Sequence, residues 1–271
     1  MVKFACAGWG FREKTLKEYF ELVSEMGIRY VEVNCAKNVP HHLQISTSDK
    51  EIQEILNITE EAKVKIVALA GCNDFTVTSS EELRQDIENV KRLIDTASRI
   101  GAEVIRLFAG WISEDDIVEE TYWQVSDSFN IVGEYAEKKG IKLAIENHGG
   151  ITATAEQMFR IMRNIKSPAI GINYDPANFL YSGEDPLKAL REISRYVIYS
   201  HFKDCRKREE KLEYCGVGEG IIDWRAILEE LNEVYDGYYA IEYERASDVV
   251  RGTKESLVYM KRLLKENQGQ G

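Results

Sequence analysis

The stretch I-K-L-A-I-E-N-H-G-G, residues 141–150, is an apolar run that ends on Glu146, Asn147 and His148. A carboxylate and an imidazole two residues apart offer oxygen and nitrogen donors, the materials of cation sites and of acid/base catalysts. Three later runs end in the same way. N-Y-D-P-A-N places Asp175, H-F-K-D places His201 and Lys203, and I-E-Y-E places Glu242 and Glu244. An earlier run adds Glu32 and Asn34. Strand side chains alternate between faces, so Glu146 shares a face with His148, His201 with Lys203, and Glu242 with Glu244. Asn147, Phe202 and Tyr243 then face the other way, toward covering helices. Two glutamates, an aspartate and a histidine converging from adjacent strands make a mixed O/N donor set. Three uncompensated carboxylates would repel one another and lose hydration, and a divalent cation removes that penalty. The lack of a thiolate favours Mn²⁺, Mg²⁺ or Co²⁺ over structural zinc, with zinc left open. Glu32 and Arg106 are expected to form a buried structural ion pair.

These residues need strands to carry them. Short runs rich in Val, Ile and Tyr occur at 2–9, 29–34, 65–70, 103–108, 141–147, 169–175, 196–203 and 238–244. They are apolar on both faces, as parallel strands covered by helices are. Helix-like segments lie between them, at about 14–27, 49–63, 80–99, 117–139, 154–165, 185–195, 223–235 and 249–265. In the third, Leu83, Ile87, Val90 and Ile94 repeat at spacings of three and four, with Ser79 and Ser80 as N-cap candidates. Gly27, Gly101 and Gly140 stand where helices should stop. Eight β–α units in 271 residues predict an α/β fold, a single-domain (β/α)8 barrel over 1–265 with a flexible tail at 266–271. A doubly wound sheet is disfavoured, because the first turn, Gly8-Trp9-Gly10-Phe11-Arg12-Glu13, lacks the dinucleotide fingerprint. Barrel active sites lie at the carboxyl ends of strands, where the polar endings fall.

The remaining features bound the function. A net charge of -11 speaks against nucleic acid as partner. No run approaches the ~20 apolar residues that span a bilayer, so no membrane partner is expected. Five scattered cysteines without a C-x-x-C read as reduced thiols in a cytoplasmic protein. Gly216, Gly218 and Gly220, near Arg206, Arg208 and Arg245, read as a tight turn in preference to a phosphate loop. Trp9, Phe11, Phe108 and Trp111 fall at strand ends one and four, where they either wall a pocket or cap the barrel core.

I-E-N-H at 145–148, D-P-A-N at 175–178, H-F-K-D at 201–204, V-G-E-G-I-I-D-W at 217–224 and Y-Y-A-I-E-Y-E at 238–244 carry a resemblance over nearly the whole chain. The sequence resembles the xylose isomerase-like TIM-barrel superfamily of sugar isomerases and epimerases. The resemblance implies one divalent ion per chain held by Glu146, Asp175, His201 and Glu242. It also implies that Glu146 and Glu242 act as acid and base, moving a proton beside a ketose carbonyl through an enediolate. Substrate contacts are expected from His148, Lys203, Asn178, Trp9 and Glu244. The ketose 3-epimerase branch has a histidine where this chain has Asn178, and Lys203-Asp204 looks more like inosose dehydratases and generic sugar phosphate isomerases.

The leading expectation is therefore a metal-dependent isomerase or epimerase on a small sugar or ketose, phosphorylated or free. The alternative is a lyase that dehydrates a keto-polyol such as an inosose, with Lys203 carrying the proton. An apurinic endonuclease of the same fold is set aside, because its trinuclear site needs many histidines and this chain has His41, His42, His148 and His201 alone. A metal-binding barrel without catalysis stays open, as does a homo-oligomer.

Overall fold

The structure is a computed structural model describing residues 2–209 and 211–268. Its strands are β1 (Lys3–Cys6), β2 (Tyr30–Cys35), β3 (Lys65–Gly71), β4 (Val104–Leu107), β5 (Lys142–Glu146), β6 (Ile170–Tyr174), β7 (Val197–Phe202), β8 (Asp204–Arg208), β9 (Lys211–Cys215) and β10 (Tyr238–Ile241). Eight of them close into a parallel barrel in the order β1-β10-β7-β6-β5-β4-β3-β2, while β8 and β9 form a separate antiparallel hairpin. The expected (β/α)8 barrel is the fold. The hairpin was not expected: the chain leaves the barrel after Phe202, and Lys203 lies between the two sheets.

The helices are α1 (Leu16–Glu25), α2 (Asp49–Ala62), α3 (Ser80–Ile100), α4 (Glu119–Lys139), α5 (Ala155–Met162), α6 (Pro176–Tyr181), α7 (Pro186–Ile193), α8 (Trp224–Val234) and α9 (Val249–Gln268). The α3 stripe seats Ile87, Val90 and Ile94 in the core, with Leu83 packed at its edge. Ser79 caps that helix by accepting from the Glu82 amide, and Gly101, at φ 79°, ends it in the left-handed conformation that glycine tolerates. The short α6 was absent from the sequence reading. It starts because Asp175 accepts hydrogen bonds from the Ala177 and Asn178 amides and Pro176 fits the first turn. Helix α9 continues through residues 266–268, and the remaining tail, 269–271, lies outside the described residues.

Inside the barrel, small side chains fill the layer below the mouth. Ala5, Ala68, Ala144 and Ala240 pack there with Val104 and Tyr199. Methyl groups at these positions leave the middle of the barrel open to longer side chains from β2, β4 and β7. All five cysteines are free, four of them buried and Cys72 exposed. No helix among the described residues is long and apolar enough to cross a membrane.

Candidate metal centre

At the carboxyl end of the barrel, Glu146, Asp175, His201 and Glu242 offer one ligand atom each, all within 4.8 Å of one another. All four are buried. Strand β5 delivers Glu146 as its last residue, His201 stands on β7, Asp175 follows β6, and Glu242 follows β10. The backbone amide of Glu242 still donates to the Phe202 carbonyl at 3.0 Å, which keeps its side chain in phase with the barrel.

Their neighbours hold them in place. His201 Nδ1 lies 3.0 Å from Glu146 Oε1 and 3.6 Å from Glu242 Oε2. Its other nitrogen, Nε2, lies 2.8 Å from Glu32 Oε2. Lys203 Nζ lies 2.7 Å from Glu244 Oε1, 3.0 Å from Glu242 Oε2 and 3.2 Å from Asp175 Oδ2. Arg106 Nε lies 3.5 Å from Glu146 Oε2, while Nη1 donates to the Gly71 carbonyl. The expected Glu32–Arg106 pair does not form, because the two side chains diverge to His201 and Glu146. Asn147 is buried, donates to the Asp175 carbonyl at 2.8 Å and accepts from the Asp175 amide at 2.9 Å, which ties the ends of β5 and β6 together.

Electrostatics follow from this packing. Burial pushes the Asp175 carboxyl up to about 7, against the pull of Lys203 and with help from Glu242 and Glu146. Burial acts the same way on Glu146, but Arg106 and His201 outweigh it and hold Glu146 well below the usual carboxylate range. Glu242 is lowered too, with Lys203 and His201 outweighing burial. Burial alone would discharge His201 and Lys203. The carboxylates overcome it and raise both well above their ordinary values, Glu32 acting most on His201 and Asp175 most on Lys203. Five acidic side chains (Glu32, Glu146, Asp175, Glu242 and Glu244) meet three basic ones (Arg106, Lys203 and His201), so acidic groups outnumber basic ones by two.

That surplus, the all-oxygen-and-nitrogen donor set, and Asp175 Oδ2, which is buried with the Lys203 ammonium beside it at 3.2 Å but no well-aligned hydrogen bond, fit a divalent cation. The four residues expected to hold the ion are brought together.

A cavity of about 420 Å³ opens above the cluster. Glu146, Glu242, Lys203, Glu244, His148 and Trp9 line it, as do Phe108 and Trp111. His148 stands exposed at the mouth with its ring edge against Phe108 and Trp111. Phe11 is elsewhere, buried against Tyr19. Asn178 sits behind the lining, where its Oδ1 accepts from the Tyr214 hydroxyl at 3.0 Å. Tyr214 itself was missed by the sequence reading. The β8–β9 hairpin carries its ring to 4.6 Å from Lys203 Nζ, and it stacks on Tyr181. Both tyrosines line the cavity.

The glycine loop after the hairpin is a turn built around Asp204. This carboxylate accepts from the amides of Cys205, Gly218, Gly220 and Ile222 and from Trp224 Nε1. It makes no pair with Lys203, whose partners are the carboxylates named above.

Comparisons with known proteins agree with this architecture. The chain is 28% identical over 267 residues to an uncharacterized protein of Methanocaldococcus jannaschii, covering 94% of this chain and 88% of that one. It is 29% identical over 144 residues to an inosose dehydratase of Geobacillus thermodenitrificans, a match that spans about half of each chain, 47% and 48%. The structure superposes on that of a D-tagatose 3-epimerase-like protein with a TM-score of 0.83 and 22% identity, covering 100% of both chains. The sequence model of the xylose isomerase-like TIM barrel matches residues 20–263, and the chain belongs to that family.

Proposed function

We propose that this protein is a divalent-metal-dependent isomerase or epimerase of a small sugar or ketose. The observation that carries the reading is the convergence of Glu146 and Glu242. They arrive from β5 and β10, three strands apart around the ring, with Asp175 and His201 between them. A cation held by these four residues supplies Lewis-acid polarisation of a substrate carbonyl. Glu146 and Glu242 then flank the carbon next to that carbonyl. One carboxylate oxygen takes the proton from that carbon, and the other returns a proton, as positioned acid/base pairs do. Lys203 Nζ and His148 face the cavity and donate to substrate hydroxyls, and Glu244 holds the Lys203 ammonium. Trp9, Phe108, Trp111, Tyr181 and Tyr214 give apolar walls for the C–H faces of a sugar and exclude water. Asn178 acts behind this lining, through Tyr214.

One observation favours a second reading, a dehydratase of a keto-polyol. Lys203 lines the same cavity as the two glutamates, which suits it to protonate a leaving hydroxyl, and the half-length likeness to inosose dehydratases supports it. Incubation of ketoses and inososes with the protein and Mn²⁺ in D₂O, followed by NMR, separates the two. The proposal expects exchange of one carbon-bound hydrogen beside the carbonyl with no loss of water. A dehydrated product would replace it with the lyase reading. Neither exchange nor product across the panel would contradict both.

A further inference from the structure

Glu32 takes no part in the ligand cluster, yet it is buried at 1% exposure and stands on β2, away from the four ligand-bearing elements. Between its strand and β7 run β1 and β10, which present Ala5 and Ala240 to the barrel interior. Ala240 is the register partner of His201, and Ala5 is the register partner of Ala240. Those methyl groups leave the space through which Glu32 reaches His201. The contact is made at Nε2, 2.8 Å from Glu32 Oε2, while Nδ1 alone faces Glu146 and Glu242. Tyr199 closes the other side, with its ring edge-on to the imidazole at 5.6 Å.

We infer that Glu32 is the positioning residue of the metal centre: it fixes the proton of His201 on Nε2 and aims the Nδ1 lone pair at the cation. The inference rests on the metal-centre reading and adds to it the atom that ligates and the residue that decides it. A neutral imidazole carries one proton, and a ligating nitrogen needs a free lone pair. With Nε2–H donating to a buried carboxylate, the ring cannot turn over without leaving that carboxylate unpaired. A carboxylate behind a ligating histidine also makes the imidazole a stronger donor. Pairing of β2 with β3 shifts register between Val31 and Glu32 and then runs on regularly through Cys35, so the reach of this side chain is a property of the strand and not of a loop.

The test uses full-length protein and Mn²⁺ alone, with free ion followed by EPR, for wild type, Glu32→Gln and Glu32→Ala. A second readout is the imidazole ¹⁵N spectrum of the zinc-loaded protein, with the His201 signals assigned by their absence in His201→Ala. Expected results are tight binding by wild type, a Kd about 10–100-fold weaker in Glu32→Ala, and an intermediate value in Glu32→Gln, which keeps an acceptor. The wild-type spectrum should show Nε2 protonated and Nδ1 metal-bound. Affinities within about twofold of wild type in both variants, or zinc on Nε2, would overturn the inference. So would a lower unfolding temperature with affinity and the Nε2–H signal unchanged, because that is a structural role alone. If Glu32→Ala does not fold, Glu32→Gln, of nearly the same volume, decides. Wild type that binds no ion would refute the metal centre itself, a result distinct from failure at Glu32.

Discussion

Lys203 Nζ lies 3.0 Å from Glu242 Oε2, so the ammonium expected to meet substrate is joined to a carboxylate expected to move protons. Asp175 and Glu244 also surround it and keep it charged, although burial acts the other way. A charged ammonium donates hydrogen bonds and cannot serve as a base. Lys203→Met is therefore expected to raise KM and leave a measurable kcat. Steady-state kinetics check this. Unchanged KM with kcat lowered by about 10²–10⁴ would assign Lys203 the proton transfer of a lyase.

Glu146→Gln and Glu242→Gln are each expected to abolish turnover while retaining part of the ion affinity. Glutamine keeps the shape and one ligand oxygen but carries no exchangeable acid proton. A positioned acid or base is worth about 10²–10⁴-fold in rate. Either variant that keeps more than about a tenth of the wild-type kcat would remove that residue from the acid/base pair.

Ion affinity should depend on pH in a stated direction. In the metal-free protein the Asp175 carboxyl is raised to about 7, and His201 is raised well above its ordinary value. Below about pH 7 both carry protons that ligation must expel, and above it His201 alone does. Affinity for Mn²⁺ therefore falls as pH falls, with a slope of log Ka against pH of about two below pH 7 and about one above it. Titrations across this range measure it, and a flat profile would contradict the ligand assignment.

The Asp204 loop bears on the charge of the substrate. Barrel phosphate sites use loops after the seventh and eighth barrel strands. Here the amides of Gly218, Gly220 and Ile222 are already bonded to a carboxylate. Arg206, Arg208 and Arg245 lie beside Glu219, Glu213 and Asp248, at 3.8, 3.7 and 3.8 Å. Whichever free sugar is turned over, its phosphate ester is expected to show a lower kcat/KM, by about tenfold or more. Preference for the ester would contradict this.

The barrel was legible because buried parallel strands and amphipathic helices have different periods, and glycines mark their boundaries. The four clustered side chains were legible because each stands at or beside the carboxyl end of a barrel strand, in the same phase. The partner of Glu32 was not. Two inward-pointing charges of opposite sign suggested a pair, but register across a closed barrel decides who meets whom, and two alanines open the path to His201. The β8–β9 hairpin also escaped notice. Its turn shows no Asn-Gly or Asp-Gly signal, and Glu209 adopts φ 54° there without being glycine. Tyr214 was lost with it.

The central claim is a divalent ion held by Glu146, Asp175, His201 and Glu242. Its most direct measurement is metal analysis of protein purified without chelator, joined to Mn²⁺ titration of wild type and His201→Ala. One ion per chain and a large loss of affinity in His201→Ala are the expected results. Metal-free wild type, with the same weak Mn²⁺ affinity in both proteins, would contradict the account.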